Sequence, residues 1–307
     1  MHRVAVIGAG AFGQNHCRVV RQSTRAELTA VVDVDPARGS MADYRELAGE
    51  VDAAIVATPT SSHAEIGCWL LEHGIDVLVE KPMAPDVESA DRLIDAADRH
   101  GRMLQVGHLE RFNPAVMALE ARITVPLFFE IHRLSVFSPR SLDVDVILDL
   151  MVHDIDIVLS LTQCEPEEVR AAGVSILSPK VDIANARLQF PNGCVANLTA
   201  SRVSTERVRK LRLFQPQQYV SLDYARQEAV VYAVRSGQVS FEALPVAKGE
   251  PLGLQFDAFL DSLEARKSAK TSGLAARQTM RVAVSILDKI REHSDIVSQT
   301  LASAWKR

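Results

Sequence analysis

The sequence predicts an α/β protein in two parts: a doubly wound parallel sheet with helices over residues 1–118, then an α+β domain with a large, mostly antiparallel sheet over residues 119–307. Two textures predict the division. Up to about residue 118, short continuous apolar runs alternate with segments of helical spacing; beyond it, strand-like runs mix or alternate polar and apolar residues. Strands covered by helices on both faces need the first texture, and strands with one wetter face need the second. A chain of 307 residues also exceeds what one core usually holds, since cores stop growing near ~250 residues.

In the first part the strand-like runs are RVAVI (3–7), VVDV (31–34), AAIVAT (53–58), DVLVE (76–80) and MLQVG (103–107). Helical spacing fills Ala64 to His73 and Val87 to His100 between them. In the second part, Leu127 to Phe137, Val181 to Phe190, Cys194 to Val203, Val208 to Phe214, Tyr219 to Asp223 and Val230 to Val234 read as antiparallel strands. Phe190-Pro191-Asn192-Gly193 separates two of them, and Asn-Gly favours the positive φ of a tight hairpin turn. Helical patterns over Leu254 to Arg266 and Leu274 to Arg291 close the chain, so helices are expected on one side of this sheet.

A composition of 47% hydrophobic and 24% charged residues is that of an ordinary globular protein. The formal net charge of −5 provides no general attraction to nucleic acid or anionic membrane. Four widely spaced cysteines without a CxxC argue against a disulfide framework or zinc site. No stretch approaches the ~18 apolar residues of a membrane span, and the first apolar run is too short for a signal peptide, so a cytoplasmic protein is expected.

Gly8-Ala9-Gly10-Ala11-Phe12-Gly13 follows the first strand and opens a helix. There the glycines can make a tight turn, admit a pyrophosphate to the backbone and let helix and strand pack closely, while the helix N-terminus supplies amide donors. Asp33 falls 20 residues after Gly13, where a carboxylate can accept hydrogen bonds from ribose hydroxyls. It would repel a 2′-phosphate, which favours NAD over NADP, although Arg38 nearby keeps NADP open. The pattern is that of a Rossmann dinucleotide site.

Glu80-Lys81-Pro82 ends another strand, at the edge where open α/β sheets bind ligands. Lys81 reads either as a cation beside the nicotinamide and a reacting hydroxyl or as a surface lysine before a turn; the proline invites a cis bond. Thr58 and Pro59 could line the nicotinamide side, with His63 capping or packing at the next helix; an ordinary strand-to-helix turn is the alternative.

Val144 to Leu161 is apolar nearly all round and predicts a buried helix. Asp145, Asp149, His153 and Asp156 recur on one face, which would put a charged stripe into a cavity. His153 suits removal of an alcohol proton, with Asp149 one turn earlier to orient it. A structural Asp-His pair and a metal site are the alternatives, and no further ligand cluster supports a metal. His108, Arg111 and Asn113, within GHLERFNP (107–114), are expected to meet substrate or to serve a domain junction. Residues 201–210 carry four cations, Arg202 among them, that could hold a diphosphate or form a solvated edge.

GAGAFG, Asp33, ATPTSSH, Glu80-Lys81-Pro82 and Asp149-Leu150-Met151-Val152-His153, in this order, resemble the glucose-fructose oxidoreductase / inositol dehydrogenase (Gfo/Idh/MocA) family over the whole chain. Within it, residues 107–114 and 200–214 are similar to bacterial UDP-N-acetylglucosamine 3-dehydrogenases and related nucleotide-sugar enzymes of lipopolysaccharide or lipid A assembly. The resemblance implies Lys81, Asp149 and His153 at the catalytic positions, and Gly8, Gly10, Ala11, Phe12, Gly13, Asp33, Thr58, Pro59, His63, Glu80 and Lys81 around NAD. It implies a UDP-sugar against the open face of the second sheet, and a homodimer or homotetramer formed through that sheet. Met151 stands where many relatives have glycine, a departure expected at the pocket floor. The implied reaction is NAD-dependent oxidation of a sugar hydroxyl to a ketone. A polyol, sugar phosphate or linear-tetrapyrrole-like substrate remains open, as does a non-catalytic NAD-binding regulator.

Overall fold

A computed structural model describes residues 1–138, 144–235 and 237–304. The chain forms two compact units, Met1–Phe112 with Gly249–Arg277, and Asn113–Lys248 with Gln278–Arg307.

The first unit opens with β1 (His2–Ile7), α1 (Ala11–Gln22), β2 (Ala26–Val32), β3 (Ala53–Val56), α2 (His63–Glu72), β4 (Asp76–Val79), α3 (Val87–His100) and β5 (Leu104–Val106). Its five strands are all parallel, in the order β2-β1-β3-β4-β5. Every residue of β3 and β4 is buried, as the continuous apolar runs require. Strand β2 starts at Ala26, earlier than the VVDV run suggests, because this edge strand alternates between buried and exposed residues. Helix α3 is capped by Asp86, whose side chain accepts the Ser89 amide, and stops at Gly101 in the left-handed conformation.

The second unit follows with α4 (Pro114–Glu120), β6 (Phe128–Val136), a π-helical turn (Ile147–Met151) running into α5 (Val152–Thr162), then β7 (Glu168–Val174), β8 (Ile183–Gln189), β9 (Val195–Ser204), β10 (Val208–Gln215), β11 (Gln218–Asp223), β12 (Glu228–Arg235) and β13 (Gln238–Ala243). The eight strands run β13-β12-β11-β10-β6-β9-β8-β7, antiparallel throughout except for β6 beside β9. The expected hairpin joins β8 and β9, with Gly193 at φ +82° and its amide on the Phe190 carbonyl. The edge strands β7 and β13 are not apparent as apolar runs, since most of their side chains are wet. One face of the sheet carries Phe129, Ile131, Leu198 and Leu211 into a core shared with Ile155, Val158 and Ile286.

The division at residue 118 needs correction. The first unit ends at Phe112 and takes back residues 249–277 near the end of the chain. Helix α6 (Pro251–Ala265) explains the return, because its face of Phe256, Phe259, Leu260 and Leu263 packs on Val4, Val6, Cys17 and Val20 of β1 and α1. The following residues cover the open edge of β5: the Val106 amide donates to the Thr271 carbonyl at 2.8 Å, and Gln105 bridges Ser272. Spacing along the sequence identifies a helix here without saying which sheet it covers. The last helix, α7 (Gly273–Ala304), begins in the first unit and continues in the second. All four cysteines are free, and no described helix is long and apolar enough to cross a membrane.

Two buried ion pairs organise the second unit. Arg133 of β6 grips Asp154 of α5 through Nε and Nη2, each at 2.8 Å, with both side chains essentially inaccessible. Removing one partner would strand the other charge in the interior, so Asp154→Asn should cost about 3 kcal/mol or more of stability by urea unfolding; a loss below about 1 kcal/mol would remove the pair as an anchor. Asp182 lies against Arg202, Nε to Oδ1 3.3 Å. Burial alone pushes its carboxyl up, but the amides of Ile176, Leu177 and Ser178 and the Ser178 hydroxyl outweigh it and bring it down to about 2. Its folded value lies below the ordinary 3.8, so this stabilisation is complete above that pH and is lost as pH falls toward about 2. Urea midpoints measured across that window should fall less steeply in Asp182→Asn than in the parent chain.

Candidate active site

The turn after β1 is built by close backbone contact. Gly8 sits at φ +89°, and a Cβ on it would lie 2.7 Å from the Ala57 carbonyl group that follows β3. A Cβ on Gly13 would fall 1.8 Å from the Gly8 oxygen. Only hydrogen fits at either position, so the first turn of α1 lies directly against β1 and beside β3. These strands flank the reversal of order in the sheet, the place where doubly wound folds bind ligands at their carboxyl ends. The N-cap of α1 is Gly10, which brings no side-chain acceptor, and the first turn carries no acidic residue. The leading amides and the positive end of the helix dipole are therefore suited to an anionic ligand.

A cavity of about 850 Å³ opens at this turn. Gly8, Gly10, Ala11 and Phe12 line one side, and Thr58 and Pro59 line another. Asp33 lines it beyond β2, its Oδ2 accepting the Ala9 amide at 2.7 Å and its Oδ1 accepting the Asp35 amide at 2.9 Å. Those amide bonds, Asp35 first and then Ala9, hold the Asp33 carboxyl below the usual carboxylate range. A fixed negative charge thus faces the part of the cavity suited to a ribose diol. Arg38 also lines it, but its guanidinium lies 3.1 Å from the Asp35 carboxylate.

At the end of β4, Lys81 is half-buried and the Lys81-Pro82 peptide is cis, the isomer that the proline invited. His63 is buried, with Nδ1 2.9 Å from the Pro82 carbonyl and Nε2 2.8 Å from the Thr58 carbonyl. Burial pushes its imidazole down, against the raising effect of the two carbonyls. Its ring lies between the loop after β3 and the loop after β4. Glu80 is buried and its Oε1 lies 2.8 Å from His16 Nε2 on α1. His16 was not anticipated from the sequence; its position three residues after Gly13, on the face of α1 turned to the sheet, is the signal that could have found it.

In the second unit, Asp149 lies within the π-helical turn and His153 on the first turn of α5, both half-buried. The remaining members of the expected stripe turn elsewhere. Asp145 accepts the Val181 amide at 2.9 Å, and Asp156 lies 3.5 Å from the Thr279 hydroxyl. Met151 is fully buried in the core of the second unit. Arg202 is 5% exposed and donates from Nη2 to the Val181 carbonyl at 2.9 Å and to the Val144 carbonyl. Asn113 caps α4 through the Ala115 amide and donates to the Tyr224 carbonyl at 3.1 Å. His108, in the first unit, is buried, while Arg111 beside it is partly exposed.

The comparisons with known proteins match this arrangement. A profile described as "Oxidoreductase family, NAD-binding Rossmann fold" matches residues 2–108, and one described as "GFO/IDH/MocA C-terminal domain" matches residues 116–217. The UDP-N-acetylglucosamine 3-dehydrogenase of Acidithiobacillus ferrooxidans is 36% identical over 301 residues, 92% of this chain and 96% of its own. Its solved structure aligns over 94% of this chain and 97% of that one with a TM-score of 0.89. The inositol 2-dehydrogenase of Acidothermus cellulolyticus is 33% identical over 55% of this chain and 56% of its own length. An Agrobacterium radiobacter oxidoreductase crystallised with NAD+ shares the fold, with a TM-score of 0.83 over 94% of this chain and 96% of that one, at 17% identity. With both halves matched and one relative aligned nearly end to end, the chain belongs to the Gfo/Idh/MocA family of NAD-binding oxidoreductases and acts on a CH–OH group.

Proposed function

We propose that this oxidoreductase converts a ring hydroxyl of a nucleotide sugar to a ketone, at C3 of UDP-N-acetylglucosamine, within the synthesis of a lipopolysaccharide or lipid A precursor in the cytoplasm. The observation that carries the reading is the 36% identity to a UDP-N-acetylglucosamine 3-dehydrogenase over 96% of that relative, spanning both parts of the chain. The inositol 2-dehydrogenase matches little more than half of either chain, which makes a polyol the weaker reading.

The residues fit the cofactor. The amides at the start of α1 would hold the pyrophosphate, Asp33 would hold the adenosine ribose diol, and Thr58 and Pro59 would line the nicotinamide end. When bound, NAD+ supplies a hydride acceptor. Lys81 hydrogen-bonds the reacting hydroxyl and stabilises negative charge as it develops on that oxygen. His153 takes the hydroxyl proton, and Asp149, four residues earlier, orients the imidazole. The C–H bond breaks as hydride leaves, the O–H proton passes to His153, and the carbon–oxygen double bond forms. His108, Arg111, Asn113 and Arg202 are proposed to shape the substrate side, the last two through the backbone segments that they brace.

A panel of UDP-sugars, sugar phosphates and polyols incubated with NAD+ and a ketone trap should yield reduced cofactor with UDP-N-acetylglucosamine foremost. Preference for a free polyol would overturn the substrate, and NAD+ binding without turnover of any member would favour a regulator. Lys81→Ala should abolish turnover with NAD+ affinity largely kept, and His153→Asn should lower kcat on the order of 10²-fold or more. An active Lys81→Ala enzyme, or His153→Asn at near-normal rate, removes that residue from the chemistry.

A homo-oligomer is proposed to form through the open face of the large sheet. Phe214, Tyr219 and Tyr232 stack across β10, β11 and β12 with centroids 4.8 and 5.4 Å apart, and Phe241 of β13 is 68% exposed. Such a contiguous apolar strip on a water-facing sheet is suited to burial against a second copy. Tyr232→Glu should shift the sedimenting species toward monomer; a parent chain that sediments as a monomer at all concentrations sinks this surface.

A further inference from the structure

We infer that His16 and Glu80 form a positioning pair that aims Lys81 from the cofactor turn, an inference that rests on the proposed role of Lys81. The Glu80 carboxylate is confined on three sides. Its Oε1 lies 2.8 Å from His16 Nε2, and its Oε2 accepts the Lys81 backbone amide at 3.2 Å. Its third neighbour is Gly107, just after β5, where a Cβ would come within 2.7 Å of the carboxyl carbon and of both oxygens. With a Cβ at residue 107 the carboxylate would have to leave this position.

His16 is 1% exposed, and its Nδ1 is buried without a hydrogen-bond partner among the described residues. A buried N–H without an acceptor is costly, so the ring proton belongs on Nε2, which donates to Glu80. The imidazole ring also meets Phe12 edge-on, with centroids 5.3 Å apart, and Phe12 lines the cofactor cavity.

On the other side of Lys81, the ring nitrogens of His63 lie 2.9 and 2.8 Å from the Pro82 and Thr58 carbonyls, one of which accepts its N–H, and Thr58 lines the same cavity. The residues before and after Lys81 each lie against a buried imidazole, and each imidazole contacts a residue of the cofactor site. A side chain with four rotatable bonds gains direction when its backbone is held this way, and a misplacement of about 1 Å can cost on the order of 10²-fold in rate. The charged and titratable groups around the Glu80 carboxylate are His16, His63 and Lys81. His16 and Glu80 act through Lys81 and do not themselves touch substrate.

The test compares the parent enzyme with Glu80→Gln, His16→Gln and the double variant. It measures NAD+ affinity, kcat and KM, and the pH at which Lys81 is half-acylated in the NAD+-bound protein, by site-resolved mass spectrometry. The single variants should keep NAD+ affinity within about threefold and lose on the order of tenfold or more in kcat with little change in KM, and the double should be no worse than the poorer single. Loss of the nearby negative charge in Glu80→Gln should lower the Lys81 midpoint while other lysines stay put. Unchanged kcat in folded variants, losses that multiply in the double, or an unmoved Lys81 midpoint would overturn the pair. Should Glu80→Gln fail to fold, Glu80→Asp, which keeps the charge and withdraws it by one methylene, is expected to show the same kcat loss with unchanged NAD+ affinity. The acylation readout needs no sugar, so inactivity of the parent enzyme on UDP-sugars would sink the substrate and leave this inference to stand or fall by the midpoint.

Discussion

The first unit depends on how closely its backbone can approach itself at the end of β1. Gly13 rests on the Gly8 carbonyl, and Gly8 rests on the residue that follows β3. Because these contacts leave no room for a side chain, helix α1 begins against the sheet with its first amides turned to the cavity. The same closeness brings His16, farther along α1, within hydrogen-bonding distance of Glu80 at the end of β4. Cofactor turn and lysine loop thus share one set of buried contacts.

In the second unit, two buried cations each meet a buried carboxylate. Arg133 with Asp154 and Arg202 with Asp182 have almost no accessible surface. Low dielectric makes an isolated charge prohibitive there, so the remaining carboxylates of the helical stretch either stay partly wet or, like Asp156, find a buried hydrogen-bond donor. Asp149 and His153 are the half-buried members, and they flank the point where a π-helical turn gives way to α5. Such turns widen a helix locally and recur at functional sites, because they set side-chain directions that a regular helix does not offer.

Local rules were enough to identify much of this protein. GAGAFG after an apolar run, Asp33 at its spacing, the strand ending in Glu80-Lys81-Pro82 and the Asn-Gly hairpin are each legible because their causes are local: positive φ, helix onset, parallel-strand burial. The change of texture separated a parallel from an antiparallel sheet for the same reason, since strand burial leaves its mark residue by residue.

Long-range packing decided the rest. That α6 covers β1 and α1 follows from shape complementarity across more than 200 residues of chain, which no window of sequence contains. Edge strands β7 and β13 are wet, so their pairing is an outcome of the sheet and not of their own composition. Asp145 shares its residue type with Asp149 and Arg202 with Arg111, and only the fold shows that each is held by partners far along the chain. His16 is the converse case: a histidine on a helix carries no mark of the carboxylate it will meet. Periodicity determined which residues face inward, and only the tertiary fold could determine what each of them faces, because burial is recorded in spacing and partnership is not.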